Sequence, residues 1–265
     1  MEHQDDEDLK PTPGERVKQV LKEKDVRQVL FFFVLFTALF SILGLWAYPR
    51  WMPNIMSKEM RGDESIMIWF TVISAPIAGI VLAFAMRSFI DIQRGDTPPE
   101  DGPAISGHTP TVVIWTAVSF LFCTVAIVWG MTEMNTWSQD AIAKESNAMV
   151  VNVTGAQWSW SFNYPAQGIT THELNLPVKQ PITFNVISDD VNHSFWPVEL
   201  GVKVDANRLA TTVVHVTPDK IGAFEVKCAE LCGIYHAYME TNGQVESRAD
   251  FDNWVSTVKA QGGAQ

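Results

Sequence analysis

Three long runs of apolar residues, free of charged side chains, occupy the first half of the chain. They span residues 29–48, 65–86 and 111–131, and each has roughly the 20 residues that a helix needs to cross a bilayer. A buried helix of that length in a soluble protein would normally carry a polar stripe. The pattern therefore predicts three transmembrane helices, the second of them kinked at Pro76.

Residues 132–265 show a different pattern, in which polar and apolar positions alternate over short stretches. The alternation is clearest in residues 157–164 and predicts a strand with one buried face. Further strands are predicted at residues 150–153, 182–187, 211–216 and 223–227. Residues 249–260 show helical spacing, with Phe251, Trp254 and Val258 on one face. Membrane helices followed by an all-β sandwich or barrel are the predicted fold class.

Basic residues near the first apolar run predict the orientation of the chain. The leader, residues 1–28, carries Lys10, Arg16, Lys18, Lys22, Lys24 and Arg27. The positive-inside rule retains such a segment in the cytoplasm, and three crossings then place residues 132–265 outside. A cleaved signal peptide is the alternative for the first run, but residues 45–49, which read L-W-A-Y-P, do not form a small-residue cleavage site. The predicted organisation is a cytoplasmic leader, a transmembrane region at residues 29–131 and an extracytoplasmic domain at residues 132–265.

The charge and cysteine counts exclude two classes of protein. A net charge of -11 argues against a nucleic-acid binder, because neutralising phosphates requires lysine and arginine. Three cysteines are too few for a disulfide-rich framework. Cys123 lies within the third apolar run, where we expect a small packing residue.

Candidate chemistry is concentrated in residues 228–239, which read C-A-E-L-C-G-I-Y-H-A-Y-M. Thiolate, imidazole and thioether groups are soft ligands, and together they favour copper over magnesium or calcium. A mononuclear blue-copper site uses one Cys, two His and a weak axial Met. Cys232, His236 and Met239 supply most of that set, and Cys228 is a second thiolate. Two bridging thiolates would hold two copper ions, which requires a second histidine from elsewhere in the chain.

His193 is the candidate for that second histidine. It follows a predicted strand in the segment D-D-V-N-H-S, where a loop would carry it to the site. His172 and His215 have no ligand-rich neighbours, and we expect them to be ordinary structural residues. A disulfide between the two cysteines and a zinc site of two Cys and two His remain alternatives.

The C-A-E-L-C-G-I-Y-H-A-Y-M run, with D-V-N-H-S and Q-W-S-W-S-F-N-Y upstream, resembles subunit II of the haem-copper cytochrome c oxidases. The resemblance covers roughly residues 65–255 and implies a cupredoxin-like sandwich that carries the dinuclear copper centre CuA. It implies the following ligands: Cys228 and Cys232 bridge the coppers, His193 and His236 bind one copper each, Met239 is a weak ligand, and Glu230 contributes its backbone carbonyl.

The resemblance also implies roles for residues around the copper site. The Glu230 side chain would help to hold a magnesium ion at the border with subunit I, with Asp205 nearby. Trp158 matches the aromatic residue at which electrons enter the family's proteins. Asp190 matches an acidic residue of the docking surface for cytochrome c.

The function implied is that of an electron-transfer subunit of a proton-translocating terminal oxidase in a prokaryotic plasma membrane. Its expected partners are subunit I, which holds the haem and reduces oxygen, other oxidase subunits, and cytochrome c or a similar donor. A CuA-containing subunit of a nitric oxide reductase is an alternative, and so is a membrane-anchored copper-delivery protein. Quinol oxidase subunits share the scaffold but lack the copper ligands, so the complete ligand set argues against them.

Two features depart from the family pattern. The family's hairpin has two helices, which correspond here to the second and third apolar runs, so the first run is an additional helix. The family often has a carboxylate three residues before the tryptophan of its second hairpin helix, near the mouth of a proton channel. Val112 stands at that spacing before Trp115, which leaves the part of this chain in proton uptake open.

Overall fold

The computed structural model describes residues 23–94, 107–136 and 147–262. Most of the basic leader, with Lys10, Arg16, Lys18 and Lys22, lies outside the described residues, as do residues 95–106. The described helices are α1 (Lys24–Trp51), α2 (Lys58–Arg94), α3 (Thr109–Thr136) and α4 (Arg248–Ala260). Among them α1, α2 and α3 are long and apolar enough to cross a membrane.

The chain divides into two compact units, of which the first contains α1 and the part of α2 that begins at Ser65. Within this unit the two helices approach each other at glycines. A Cβ atom on Gly44 would lie 2.4 Å from the Thr71 side chain, and one on Gly79 would lie 2.3 Å from Thr37. Asp25 of α1 and Arg87 of α2 form an ion pair at 2.8 Å.

The second unit contains a sandwich of two five-stranded sheets. One sheet has the order β3-β2-β1-β5-β8, and the other has the order β4-β10-β9-β6-β7. The first sheet comprises β1 (Met149–Ala156), β2 (Ser159–Tyr164), β3 (Ile169–Thr171), β5 (Ile182–Ser188) and β8 (Thr212–Val216). The second comprises β4 (Leu174–Pro177), β6 (His193–Pro197), β7 (Val204–Ala206), β9 (Gly222–Cys228) and β10 (Glu240–Glu246).

Alternate residues of the strands form the core between the sheets, as the period of two requires. Phe162 of β2, Phe184 of β5 and Phe195 of β6 are fully buried, and the Phe184 and Phe195 rings meet edge to face with centroids 5.1 Å apart. Helix α4 begins at its cap Ser247, whose hydroxyl accepts a hydrogen bond from the Asp250 N–H. The predicted class, membrane helices followed by a cupredoxin-like β-sandwich, is confirmed.

Some local predictions were wrong. The strand predicted at residues 157–164 starts at Ser159, because Gln157 and Trp158 form the turn of the β1–β2 hairpin. His193 is not in a loop: it is the first residue of β6. The predicted face of α4 is confirmed, since Phe251 and Val258 are buried and the partly buried Trp254 packs against the core, and Val255 is a further buried residue. The sequence pattern also missed β3, β4, β6, β7 and β10.

The segment Met52–Glu64, which includes the first turn of α2, packs on the sandwich within the second unit. Met56 and Ser57 are buried. The Met56 N–H donates to the Glu199 carbonyl at 3.1 Å, and the Ser57 hydroxyl donates to the Leu200 carbonyl at 2.7 Å. These bonds fix the segment to the loop that follows β6.

Candidate metal centre

Strands β6 and β9 place the first two functional side chains next to each other. His193 is the first residue of β6, and Cys228 is the last residue of β9. The antiparallel register pairs Phe195 with Cys228, and the Ala229 N–H donates to the Ser194 carbonyl at 2.9 Å. His193 and Cys228 therefore meet at the same end of the second sheet.

The loop between β9 and β10, residues 229–239, supplies the remaining candidates. A hydrogen bond from the Cys228 N–H to the Met239 carbonyl, at 3.0 Å, closes the base of this loop. Inside it, the His236 N–H donates to the Gly233 carbonyl at 3.1 Å, and the Met239 N–H donates to the His236 carbonyl at 3.2 Å. These consecutive turns bring His236 and Met239 back towards the two cysteines.

The six donor atoms expected from the sequence converge on one site. The Sγ atoms of Cys228 and Cys232 are 3.8 Å apart, and His193 Nδ1 is 3.8 Å from the Cys228 sulfur. Around Cys232 Sγ, the His236 Nδ1 atom lies at 3.5 Å and the Met239 Sδ atom at 3.7 Å. The Glu230 carbonyl oxygen lies 3.2 Å from Cys228 Sγ. His193, Cys228, Cys232 and Met239 are all buried.

These distances fit a metal centre and not a disulfide. Both cysteines are free, and 3.8 Å is far longer than the roughly 2.05 Å of an S–S bond. Two ligands bound about 2.3 Å from one tetrahedral ion would lie about 3.8 Å apart, which matches the observed separation. Two thiols, two imidazole nitrogens and a buried thioether form a soft donor set, and a thioether favours copper over zinc. The residues present therefore fit copper.

Burial affects the pKa of Cys232. Desolvation raises the pKa of Cys232, and the neighbouring Cys228 thiol raises it further. The Cys232 thiol therefore holds its proton more tightly than an exposed cysteine does. Metal binding at such a site releases protons as the thiolates form.

Asp190 holds His193 in place. Its Oδ1 atom lies 2.8 Å from His193 Nε2, which directs the other ring nitrogen, Nδ1, at the cysteines. Its Oδ2 atom accepts a hydrogen bond from the Gln157 N–H at 2.7 Å. Partial burial alone would raise the pKa of Asp190, but hydrogen bonds from His193 and from the N–H groups of Gln157 and Val191 lower it below its usual value. The carboxyl group is therefore ionised at neutral pH.

Trp158 lies beside the loop that carries the candidate ligands. Its ring is partly exposed and meets the Tyr235 ring edge to face, with centroids 4.8 Å apart. Tyr235 directly precedes His236. The side chain of Gln157, the residue before Trp158, donates from Nε2 to the Cys232 carbonyl at 2.7 Å.

The other candidate residues lie elsewhere. The side chains of Glu230 and Asp205 are exposed, the latter on β7. His172 Nδ1 lies 2.7 Å from the Trp160 carbonyl, and His215 Nδ1 lies 3.0 Å from the Thr183 hydroxyl. Among the described residues, the cluster of potential metal ligands contains His193, Cys228 and Cys232 and neither of these two histidines.

Sequence reasoning missed two contacts of this site. The D-V-N-H spacing, which puts a carboxylate three residues before a histidine, was a signal for the bond between Asp190 and His193. The contact between Gln157 and the Cys232 carbonyl joins residues 75 positions apart, and no local pattern predicts it.

Comparison with known proteins relates part of the sandwich to a family. Residues 166–245 match the family described as cytochrome c oxidase subunit II, periplasmic domain. The matched residues include β6, β9 and the β9–β10 loop, and these three elements together carry the six candidate ligands. The match confirms the resemblance found in the sequence.

Relatives of the subunit II domain include proteins of two oxidase types. The chain is 25% identical to cytochrome c oxidase subunit 2 of Synechocystis, over 82% of this chain and 79% of the relative. It is 29% identical to quinol oxidase subunit 2 of Bacillus subtilis, over 69% of this chain and 58% of the relative. The chain spans 46% to 63% of the length of four further cytochrome c oxidase relatives.

A solved structure of a subunit II domain is also similar to part of this chain. The periplasmic domain of subunit II of the Bradyrhizobium japonicum cytochrome oxidase is 29% identical, with a TM-score of 0.42. The match covers 44% of this chain and 96% of that domain.

Proposed function

We propose that this chain is the electron-accepting subunit of a haem-copper terminal oxidase. It takes up electrons from cytochrome c or a similar donor outside the membrane and delivers them to haem in subunit I, where oxygen is reduced to water. The convergence of six donor atoms at separations of 3.2 to 3.8 Å is the observation that carries this proposal. The similarity to both cytochrome c and quinol oxidase subunits does not distinguish the two donors, but the ligand set favours the copper-dependent type.

We assign the six donors to two copper ions. The thiolates of Cys228 and Cys232 and the Nδ1 atoms of His193 and His236 would be the principal ligands, and the Met239 thioether and the Glu230 carbonyl would be weak ligands. A bound copper pair supplies a one-electron carrier. The protein around it excludes water, since four of the ligand residues are buried, and Asp190 fixes the orientation of the His193 ring.

Trp158 is the residue at which electrons enter. Its partly exposed ring is available to an incoming donor, and its edge-to-face contact with Tyr235 leads to the residue before His236. The surrounding domain is acidic: residues 132–265 contain 15 acidic and 8 basic residues, a net charge of -7. Such a surface attracts a basic donor protein and speeds its association at low ionic strength. Asp190 contributes to that docking surface with the exposed third of its side chain.

The proposal includes a topology in which the sandwich lies outside a prokaryotic plasma membrane and the N-terminus lies in the cytoplasm. The segment Met52–Glu64, between α1 and most of α2, packs on the sandwich. That segment and the sandwich therefore share one side of the membrane. If α1 spans the bilayer, the leader lies on the other side, as its basic residues require.

The proposal also includes a magnesium site at the border with subunit I. The exposed Glu230 side chain, between the two cysteines in sequence, would help to hold a magnesium ion at the border between the two subunits, and the exposed Asp205 would contribute to the same site. Carboxylate oxygens are suitable ligands for this ion. Proton translocation belongs to the assembled complex.

Electron paramagnetic resonance of the copper-loaded full-length chain in detergent tests the copper assignment. We expect a half-reduced sample to show hyperfine structure from two equivalent copper nuclei. Cys228→Ser should abolish that sharing, whereas Cys123→Ser, within α3, should leave it unchanged. A four-line spectrum from a single copper in the unaltered chain would contradict the dinuclear assignment, and failure to retain copper would favour the quinol-oxidase type.

Turnover with cytochrome c tests the role of Trp158. In the assembled oxidase, Trp158→Phe should slow electron uptake strongly while copper content and donor affinity hardly change. Loss of copper or of folding in this variant would indicate a packing role for Trp158. Unchanged turnover under conditions where electron uptake limits the rate would remove Trp158 from the pathway.

A further inference from the structure

We propose that Gln157 is a positioning residue that holds Trp158 at a fixed distance from the metal-binding loop. The inference rests on the proposed function, in which electrons enter at Trp158. It concerns contacts that lie outside the ligand set itself.

Gln157 connects three separate segments of the chain. Its backbone N–H donates to Asp190 Oδ2 at 2.7 Å, and the other oxygen of Asp190 is 2.8 Å from His193 Nε2. Its side-chain Nε2 donates to the Cys232 carbonyl at 2.7 Å. Gln157, in the β1–β2 turn, is therefore hydrogen-bonded both to the carboxylate that contacts His193 on β6 and to the backbone of Cys232 in the β9–β10 loop.

The turn and the loop are also in close packing contact. Gly233 has a φ of +124°, and a Cβ atom there would lie 3.0 Å from Gln157 Nε2 and 3.3 Å from atoms of the Trp158 ring. The loop therefore approaches Gln157 and Trp158 as closely as its backbone allows. Tyr235, in the same loop as Gly233, meets the Trp158 ring edge to face.

Neither fold element requires the Gln157 side chain for its own closure. The hairpin is closed by pairing of Ala156 with Ser159, and the loop is closed by the bond from Cys228 to Met239. The side-chain amide bond links two elements that are each already formed. Its effect is on their separation, and a group held less precisely at a reacting site loses rate steeply with displacement.

The first experiment uses Gln157→Met in the assembled oxidase, because methionine keeps the length of the side chain but cannot donate to the Cys232 carbonyl. We expect kcat, measured where electron uptake limits turnover, to fall about tenfold, with KM for the donor changed less than twofold. Copper content and the copper absorption spectrum should be unchanged. Gln244→Met is the matched control, because Gln244 lies on β10 and takes no part in the bonds that join these segments.

A double-mutant cycle then tests whether Gln157 acts through Trp158. In a Trp158→Phe background, Gln157→Met should cause no further loss of electron uptake. Additive losses would mean that Gln157 acts on the copper ligands directly and would overturn the proposal. A changed copper spectrum in the single variant would do the same.

Amide hydrogen exchange of the metal-free full-length chain separates this proposal from the proposed function. Loss of one hydrogen bond should speed exchange at Trp158 and at Gly233 together, by about three- to tenfold, and the Gln244→Met control should leave both unchanged. Unchanged exchange at both residues would overturn the positioning role of Gln157 even if electrons enter at Trp158. Faster exchange combined with unchanged turnover in Trp158→Phe would support the positioning role of Gln157 and reject Trp158 as the point where electrons enter.

Discussion

The β-sandwich and the membrane helices bury their aromatic side chains in opposite ways. Phe162, Phe184 and Phe195 of the sandwich are fully buried, whereas Trp115 and Phe120 of α3 are 74% and 73% exposed. The sandwich completes its own core, so its stability is a property of this chain. The apolar surface of α3 is covered by lipid or by a partner subunit, because none of its described residues is buried within the chain.

The packing of helices α1 and α2 differs from that of the sandwich core and from the exposed surface of α3. Their contact includes Gly44 and Gly79, each facing a threonine of the other helix. Association of helices in a membrane gains little from hydrophobic burial, because lipid is as apolar as leucine, and close approach of backbones matters more. The sequence resemblance treats α1 as an addition to the family hairpin, and the structure shows that it is packed against α2.

Removing a large side chain from the sandwich should have the largest effect on stability. Phe184→Ala removes a fully buried ring in contact with Phe195 and should lower the free energy of unfolding of the sandwich by about 3–5 kcal/mol. The measurement is urea unfolding of the full-length chain in detergent, followed by tryptophan fluorescence. Trp115→Ala in α3 is the control and should leave the sandwich transition unchanged. Equal losses in the two variants would mean that α3 supports the sandwich core.

The fold was predictable where the pattern was periodic. The apolar runs predicted α1, α2 and α3, and strict alternation predicted β5, where Ile182, Phe184 and Val186 point inward. Strand β4 was missed because its sequence, LNLP, has only four residues and ends in proline, and β10 was missed because its sequence, ETNGQVE, is mostly polar. Segments this short or this polar give no clear local period.

The site was predictable to the extent that its ligands are close in sequence. Cys228, Cys232, His236 and Met239 lie within twelve residues, and their types indicate soft-metal chemistry. His193 required the argument that a second histidine was missing. The bonds of Gln157 to Asp190 and to Cys232 depend on how three loops meet at one end of the sandwich, and residue types alone do not determine this.

Copper should stabilise the sandwich and leave the membrane helices unaffected. A ligand that binds only the folded state stabilises it by about 2.7 kcal/mol at one hundred times its dissociation constant. We expect the fluorescence transition of the sandwich to shift to higher urea when copper is added, and to return when a chelator removes it. The Cys228→Ser variant should shift much less. A shift of the same size in that variant would place the stabilising copper at another site.

A bulky residue at the α1–α2 contact should destabilise the packing of these two helices, by less than the loss of a buried ring destabilises the sandwich. Gly79→Leu places atoms against Thr37 and against the α1 backbone, which lies 3.1 to 3.2 Å from the Cβ position, and should cost about 1–3 kcal/mol. The measurement is helical circular dichroism of the full-length chain during titration of SDS into the micelles. Gly130→Leu is the matched control, because no atom lies within 4 Å of its Cβ position. If both variants lose helicity at the same SDS concentration, the α1–α2 contact does not contribute to stability.

The smallest effect is expected from a carboxylate at the edge of the sandwich. Burial raises the pKa of Glu246, and the nearby Asp250 charge raises it further. The folded state therefore holds the proton more tightly than the unfolded state. Stability accordingly falls as the pH rises from the pKa of Glu246 in the unfolded state to its higher pKa in the folded state.

Glu246→Gln tests this effect, because it keeps an oxygen that accepts from Asn175 Nδ2, 3.1 Å away, and removes the charge. We expect it to stabilise the sandwich at pH 7 by less than about 1 kcal/mol, with the gain vanishing below about pH 4, where both states are protonated. Urea unfolding at both pH values measures the difference. A gain that persists at low pH would assign the effect to packing, and a loss at pH 7 would show that the Glu246 charge stabilises the fold.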